Sequence, residues 1–112
     1  MIKFMGLLYK KPGISDEEFR KHWKEIHAPL VVKLPFGLVK YKQNHLLRLP
    51  GVKYEDDGLL GIVEAWHDSL ESHEKFAAWR KTKEAEQFLK DEDLFSDRSR
   101  LAIYRVEEHT IL

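Results

Sequence analysis

Apolar positions fall in short dense runs at some places along the chain and in spaced stripes at others. Ile2 to Lys10 is almost unbroken in apolarity and is followed by Pro12-Gly13, a length and punctuation that predict a strand. Ser15-Asp16-Glu17-Glu18 reads as a capping box with acids in the first helical turn. Behind it Phe19, Trp23, Ile26 and Leu30 recur at helical spacing and predict one apolar face centred on Trp23. Pro29 has no backbone N–H, so a helix reaching about Leu34 is expected to kink near Ala28. Pro35-Phe36-Gly37 is a turn, and Leu38 to Leu47 a second strand with Val39, Tyr41, Gln43, His45 and Leu47 on one side. Pro50 to Gly58, containing Gly51 and Asp56-Asp57-Gly58, is the clearest loop. Leu59 to His67 predicts a third strand. Asp68-Ser69-Leu70-Glu71 is a second capping signal, with Asp68 as the cap. The helix it opens carries Phe76 and Trp79, and a continuation over Thr82 to Lys90 carries Phe88 and Leu89. Ser99 to Glu107 is a last strand, before a short tail from His109 to Leu112.

The order β-α-β-β-α-β is that of the ferredoxin-like α+β arrangement, a four-stranded antiparallel sheet with its helices on one face, here filling residues 1–112 as a single domain. A sheet covered on one face should alternate apolar and polar. These strands do not: Ile2, Phe4 and Leu8 are interleaved with Met5, Leu7 and Tyr9. Likewise Leu60, Ile62 and Trp66 stand against Val63 and Ala65, and Leu101 and Ile103 against Ala102, Tyr104 and Val106. Two helices cannot cover both faces, so a homodimer through the second face is expected. β-propensity alone is the competing explanation of such strands.

Composition narrows the functional classes. Lys plus Arg and Asp plus Glu both number 19, which gives no global attraction to nucleic acid or anionic membrane. Cysteine is absent, which removes disulfides, thiolate nucleophiles and thiolate metal sites. No apolar run approaches the ~20 residues of a membrane span, and the apolar start is too short for a signal peptide. A cytoplasmic protein is the expectation.

Candidate chemistry centres on histidine and a carboxylate. His27 follows Trp23 by one turn, beside the apolar stripe and next to Pro29, where an imidazole can move protons at neutral pH or simply satisfy loose carbonyls. Glu64 stands between Ile62 and Trp66 on an apolar strand; burial would raise its pKa, unless a neighbouring base pairs with it. Pairing Leu47 with Leu60 would set Gln43 opposite Glu64, Tyr41 opposite Trp66 and His45 opposite Ile62. That register gathers a phenol, an amide, an imidazole and a carboxylate over an aromatic floor, as small-molecule pockets do. His22 and His27, five apart, are poorly aligned on an α-helix for a shared metal, and no His-Glu-x-x-His or serine-elbow motif is present, so no metal site is expected. Gly6 and Gly13 do not form a phosphate loop.

Four segments in register resemble the EthD-type family of the dimeric α+β barrel superfamily. Phe19 to Leu30 is similar to its Phe-x-x-x-Trp-x-x-x-His-x-Pro-Leu signature, and Leu34-Pro35 with Tyr41 to His45 to its second-strand region. Gly61 to Trp66 resembles its third-strand motif, and Asp91 to Asp97 its acidic stretch before the last strand. His67 departs from the pattern, where an aromatic such as Phe is more usual. The resemblance implies a dimer that binds a small apolar or aromatic ligand. It also implies a cofactor-independent proton-transfer catalyst (cyclisation, dehydration or decarboxylation) on an aromatic or polyketide-like compound, in a family loosely labelled oxidoreductase. In that reading His27 is the acid or base, Glu64 or His45 its partner, and Tyr41, Gln43, Trp66 and Trp23 bind substrate. A non-catalytic binding protein that supports a partner oxygenase is the alternative. Haem binding or degradation is a weaker one, because the Asn, Trp and His set of such relatives is not reproduced and Gly6 occupies the first-strand region.

Overall fold

The structure, a computed structural model, describes residues 1–55 and 58–112; the Asp56-Asp57 pair of the expected loop lies outside the described residues. Strands β1 (Ile2–Tyr9), β2 (Leu38–His45), β3 (Leu59–His67) and β4 (Ala102–Val106) make one antiparallel sheet in the order β2-β3-β1-β4. Between them run α1 (Asp16–His22) and α2 (Ala28–Val32), then α3 (Leu70–Trp79) and α4 (Glu86–Phe95). This is the expected α+β ferredoxin-like arrangement. The Ser15 capping box is present with both of its bonds. The second helical signal is displaced by one residue: Ser69, rather than Asp68, caps α3 by accepting from the Ser72 N–H. The Asp68 carboxylate accepts from the Ser69 and Ser72 hydroxyls instead. α4 runs past the expected end at Lys90 to Phe95.

The first helix does not kink at Pro29. A π-helical turn, Trp23–His27, joins α1 to α2, and the Ala28 N–H reaches back five residues to the Trp23 carbonyl. Pro29 offers no N–H to the Glu25 carbonyl, and widening the preceding turn is one way a helix absorbs that loss. The extra residue changes which side chains face inward. The apolar stripe was expected to run Phe19, Trp23, Ile26, Leu30; Ile26 and Leu30 are 51% and 38% exposed, whereas His27 is 5% exposed. Past Trp23 the inward positions are His27 and Val31, one residue later.

The core gathers where this helix crosses the sheet. Phe19, Trp23, Leu60, Phe95 and Leu8 form one buried cluster. Gly61 is required there: a Cβ would stand 2.7 Å from the Trp23 ring. The sheet's two faces are distinct. Phe4, Gly6 and Leu8 of β1 point to the helices with their partners Ala65, Val63 and Gly61, while Lys3, Met5 and Leu7 point outward with Trp66, Glu64 and Ile62. The β2–β3 register differs by one residue from the expected pairing. Tyr41 lies opposite Ala65, Gln43 opposite Val63 and His45 opposite Gly61. A slip of one reverses every side chain, so Tyr41, Gln43 and His45 face the helices while Glu64 and Trp66 face away from them.

Candidate functional site

Between the helices and the sheet lies a cavity of about 580 Å³, walled largely by apolar side chains. Its existence depends on small residues in the floor. At Gly6 a Cβ would meet Val63 Cγ1 and Ile103 Cδ1, both at 2.8 Å, so any side chain there would intrude on the floor. His27, Tyr41 and Trp23, three of the seven expected site residues, line the cavity.

His27 is held from behind. Its Nδ1 lies 2.8 Å from Asp91 Oδ2, and a carboxylate can only accept, so Nδ1 carries the hydrogen. The other carboxylate oxygen, Asp91 Oδ1, is 2.8 Å from Nε2 of His22. The two histidines reach one carboxylate because the π-turn brings positions five apart onto one face, which an ordinary α-helix would not. His27 Nε2 has no protein partner among the described residues, and on a ring buried this deeply its open side is the cavity. Burial lowers the His27 pKa below its ordinary value, outweighing Asp91 and Glu92, which act in the opposite direction. The imidazole is therefore neutral at neutral pH, with its Nε2 lone pair available.

Tyr41 is prepared as a donor. Its oxygen receives the side-chain amide of Gln43 at 3.1 Å and hydrogen-bonds the Trp23 side chain, whose indole can only donate. With both acceptances filled, the phenolic hydrogen is the group left to offer. Burial raises the Tyr41 pKa, aided by the Glu92 charge, which keeps the phenol protonated. The orientation of Gln43 is fixed in turn: its amide nitrogen also donates to the Trp23 carbonyl at 3.0 Å, so its oxygen faces His45 Nε2 at 2.9 Å. Gln43 and His45 thus stand behind Tyr41, and both border a shallow outer groove rather than the main cavity. Burial lowers the His45 pKa, with Arg20 and Lys24 adding to the effect.

Glu64 and Trp66 are absent from the cavity wall. On the outward face Glu64 pairs with Lys3 at 2.8 Å and accepts from Asn44 at 3.0 Å. Its pKa is lowered, chiefly by Lys3, and not raised as burial would have required. Trp66 lies under the ammonium groups of Lys3 and Lys40, each 4.8 Å from its ring.

Several cavity residues were not singled out from the sequence. Glu92 forms a two-pronged pair with Arg80, at 2.5 and 2.9 Å. His67 and His73 line the wall beside Phe76 and Phe88. Asp91 and Glu92 did leave a signal: with Phe88 and Phe95 they complete an i, i+3, i+4, i+7 stripe, and acids on a buried stripe need partners. Among the described residues no group of three or more His, Asp or Glu side chains is arranged to hold a metal, and no helix is long and apolar enough to cross a membrane.

A family model described as the EthD domain matches residues 11–99. An EthD family protein from Bacillus halodurans superposes with a TM-score of 0.67 at 26% identity, over 97% of this chain and 100% of that one. A hydroxynitrile lyase from Passiflora edulis gives 0.62 at 15% identity, over 97% and 95%. A ferredoxin-like protein from Bacteroides fragilis, described as dimeric and of unknown function, gives 0.62 at 14%, over 96% and 95%. The dehydratase aurZ of Gibberella zeae is 44% identical over 39 residues, 33% of this chain and 26% of that relative. The match therefore spans about a quarter of that curated relative's length.

Proposed function

This chain belongs to the EthD family, and on that footing we propose that it is a dimeric small-molecule-binding protein that catalyses proton transfer, without a cofactor, on an aromatic or polyketide-like carbonyl compound. The observation that carries the reading is the pairing of a neutral, carboxylate-anchored imidazole with a phenol poised to donate, both on the wall of one apolar cavity. His27 Nε2 takes a proton from the carbon next to a carbonyl. The C–H electron pair moves onto the carbonyl oxygen, which the Tyr41 O–H stabilises as an enolate; Asp91 supports the imidazolium that forms. Return of the proton to another atom, or departure of a β-hydroxyl, turns the same intermediate into an isomer or a dehydrated product. Such steps need a base and an oxyanion donor, both in low dielectric. The similarity to a dehydratase and to a hydroxynitrile lyase fits this reading.

Assembly is part of the proposal. Met5, Leu7, Ile62, Trp66, Tyr104 and Val106 share the uncovered sheet face, and the Bacteroides fragilis protein of similar fold is described as dimeric.

Hydrogen–deuterium exchange tests the chemistry without knowledge of the natural substrate. Aryl methyl ketones incubated with the protein in deuterated water should lose their α-proton NMR signal faster than in buffer. His27→Gln should slow this on the order of 100-fold, the scale of a positioned base. Exchange unaffected by His27→Gln, or no acceleration with any ketone that binds, would leave a binding protein rather than a catalyst.

A further inference from the structure

At the end of β3 the cavity holds a second imidazole whose position the proton-transfer reading leaves unexplained. His67 is 4% exposed. Its Nδ1 lies 2.9 Å from the Phe36 carbonyl oxygen, which can only accept, so Nδ1 carries a hydrogen. In the neutral ring Nε2 is then an acceptor. No protein donor reaches it among the described residues, and the residue lines the cavity. The ring is confined: Phe4 meets it edge-on at 5.8 Å, His73 edge-on at 5.1 Å, and Phe76 stacks at 6.1 Å. Arg80, the nearest strong donor on that wall, is committed to Glu92. A buried acceptor among aromatic rings is costly unless a donor meets it.

Ring contacts also connect the two imidazoles. His27 touches Phe88 at 5.0 Å, Phe88 meets Phe76 at 6.3 Å, and Phe76 stacks on His67. A flat ligand lying along this row meets one imidazole at each end.

We infer that His67 Nε2 accepts a hydrogen bond from a hydroxyl of the bound molecule, so that the protein selects hydroxylated aromatic ketones, with the carbonyl end at His27 and the phenolic end at His67. The orientation rests on the proposed role of His27; the recognition of the hydroxyl does not. A phenol suits the position because its ring stacks on Phe76 and Phe88, and its O–H is a stronger donor than an alkanol's.

The test uses three bicyclic probes, 6-hydroxy-2-acetonaphthone, its 6-methoxy analogue and 2-acetonaphthone, titrated calorimetrically against the intact protein. The hydroxy compound should bind about ten-fold tighter than the other two, the worth of one well-placed buried hydrogen bond. His67→Phe keeps a flat ring against Phe76 and should reduce that preference to less than about two-fold, with 2-acetonaphthone still bound. In the wild type, the His67 Nε2 nitrogen resonance should move with the hydroxy probe and not with 2-acetonaphthone, a readout that survives even if His67→Phe misfolds. Equal affinity for the three probes, a preference that persists in a folded His67→Phe, a static Nε2 resonance, or no binding at millimolar concentration would each overturn the inference. His27→Gln separates the two readings: it should abolish exchange and retain the hydroxyl preference.

Discussion

Replacing Trp23 by alanine should destabilise the protein severely, and the loss should depend on what stands at position 61. Trp23 is 1% exposed, tilts against Phe19 at 5.7 Å between centroids and against His45 at 4.6 Å, and hydrogen-bonds Tyr41. Emptying such a site costs about 3–5 kcal/mol, out of the roughly 5–15 kcal/mol that hold a domain folded. At about 4 °C per kcal/mol for a chain of this size, the melting temperature should fall by about 12–20 °C. Gly61→Ala alone should also destabilise, by about 1–3 kcal/mol, because its Cβ would be 2.7 Å from the indole. With the indole removed that clash is gone, and alanine in a strand is then up to about 1 kcal/mol better than glycine. The double variant should therefore be no less stable than Trp23→Ala, a coupling of roughly 1–4 kcal/mol. Denaturant melts of all four proteins at one fixed concentration, since self-association would shift each midpoint, complete the cycle. Costs that add to within about 0.5 kcal/mol would refute the packing argument.

Acid should weaken the fold from just below neutrality. Burial lowers the pKa of His27, His45 and His73, so below about 6.5 the unfolded chain takes up protons that the folded one resists. Stability should thus be flat from pH 7 to 8 and decline from about 6.5 to 5, less steeply in His27→Gln; melts that rise on acidification would contradict this. In sedimentation the wild type should be a dimer at micromolar concentration and Trp66→Glu a monomer with its secondary structure intact, whereas a wild-type monomer would remove the sheet-face interface.

The fold was legible because its signals are local. Capping boxes, Pro-Gly punctuation and strand length need no knowledge of distant residues, and they place every strand to within a few positions. The site was legible only in part, for two reasons of register. Tyr41, Gln43 and His45 share a face by strand periodicity alone, but which face they share with Glu64 depends on a β2–β3 pairing that no short turn fixes across the long loop between them. The helical stripe failed after Trp23 because the α-period was carried through a π-turn. Pro29 announced a disturbance there without saying whether the chain would bend or widen. Asp91, the partner of both helix histidines, is 64 positions from His27, a pairing that only the folded chain displays.

The widened turn amounts to a one-letter insertion that the helix has absorbed instead of expelling as a loop. Losing any one residue between Trp23 and Ala28 would restore ordinary spacing and rotate all that follows by about 100°. Aliphatic side chains would swing in where the imidazole now stands, and the imidazole would swing out to water. The shortened protein would gain oily contact and forfeit its base, so the sturdier descendant would be the inert one. A single codon's deletion is thus a ready evolutionary route from a reactive member of such a lineage to a mere carrier. Relatives one residue shorter at this point can share the architecture throughout and have nothing with which to move a proton.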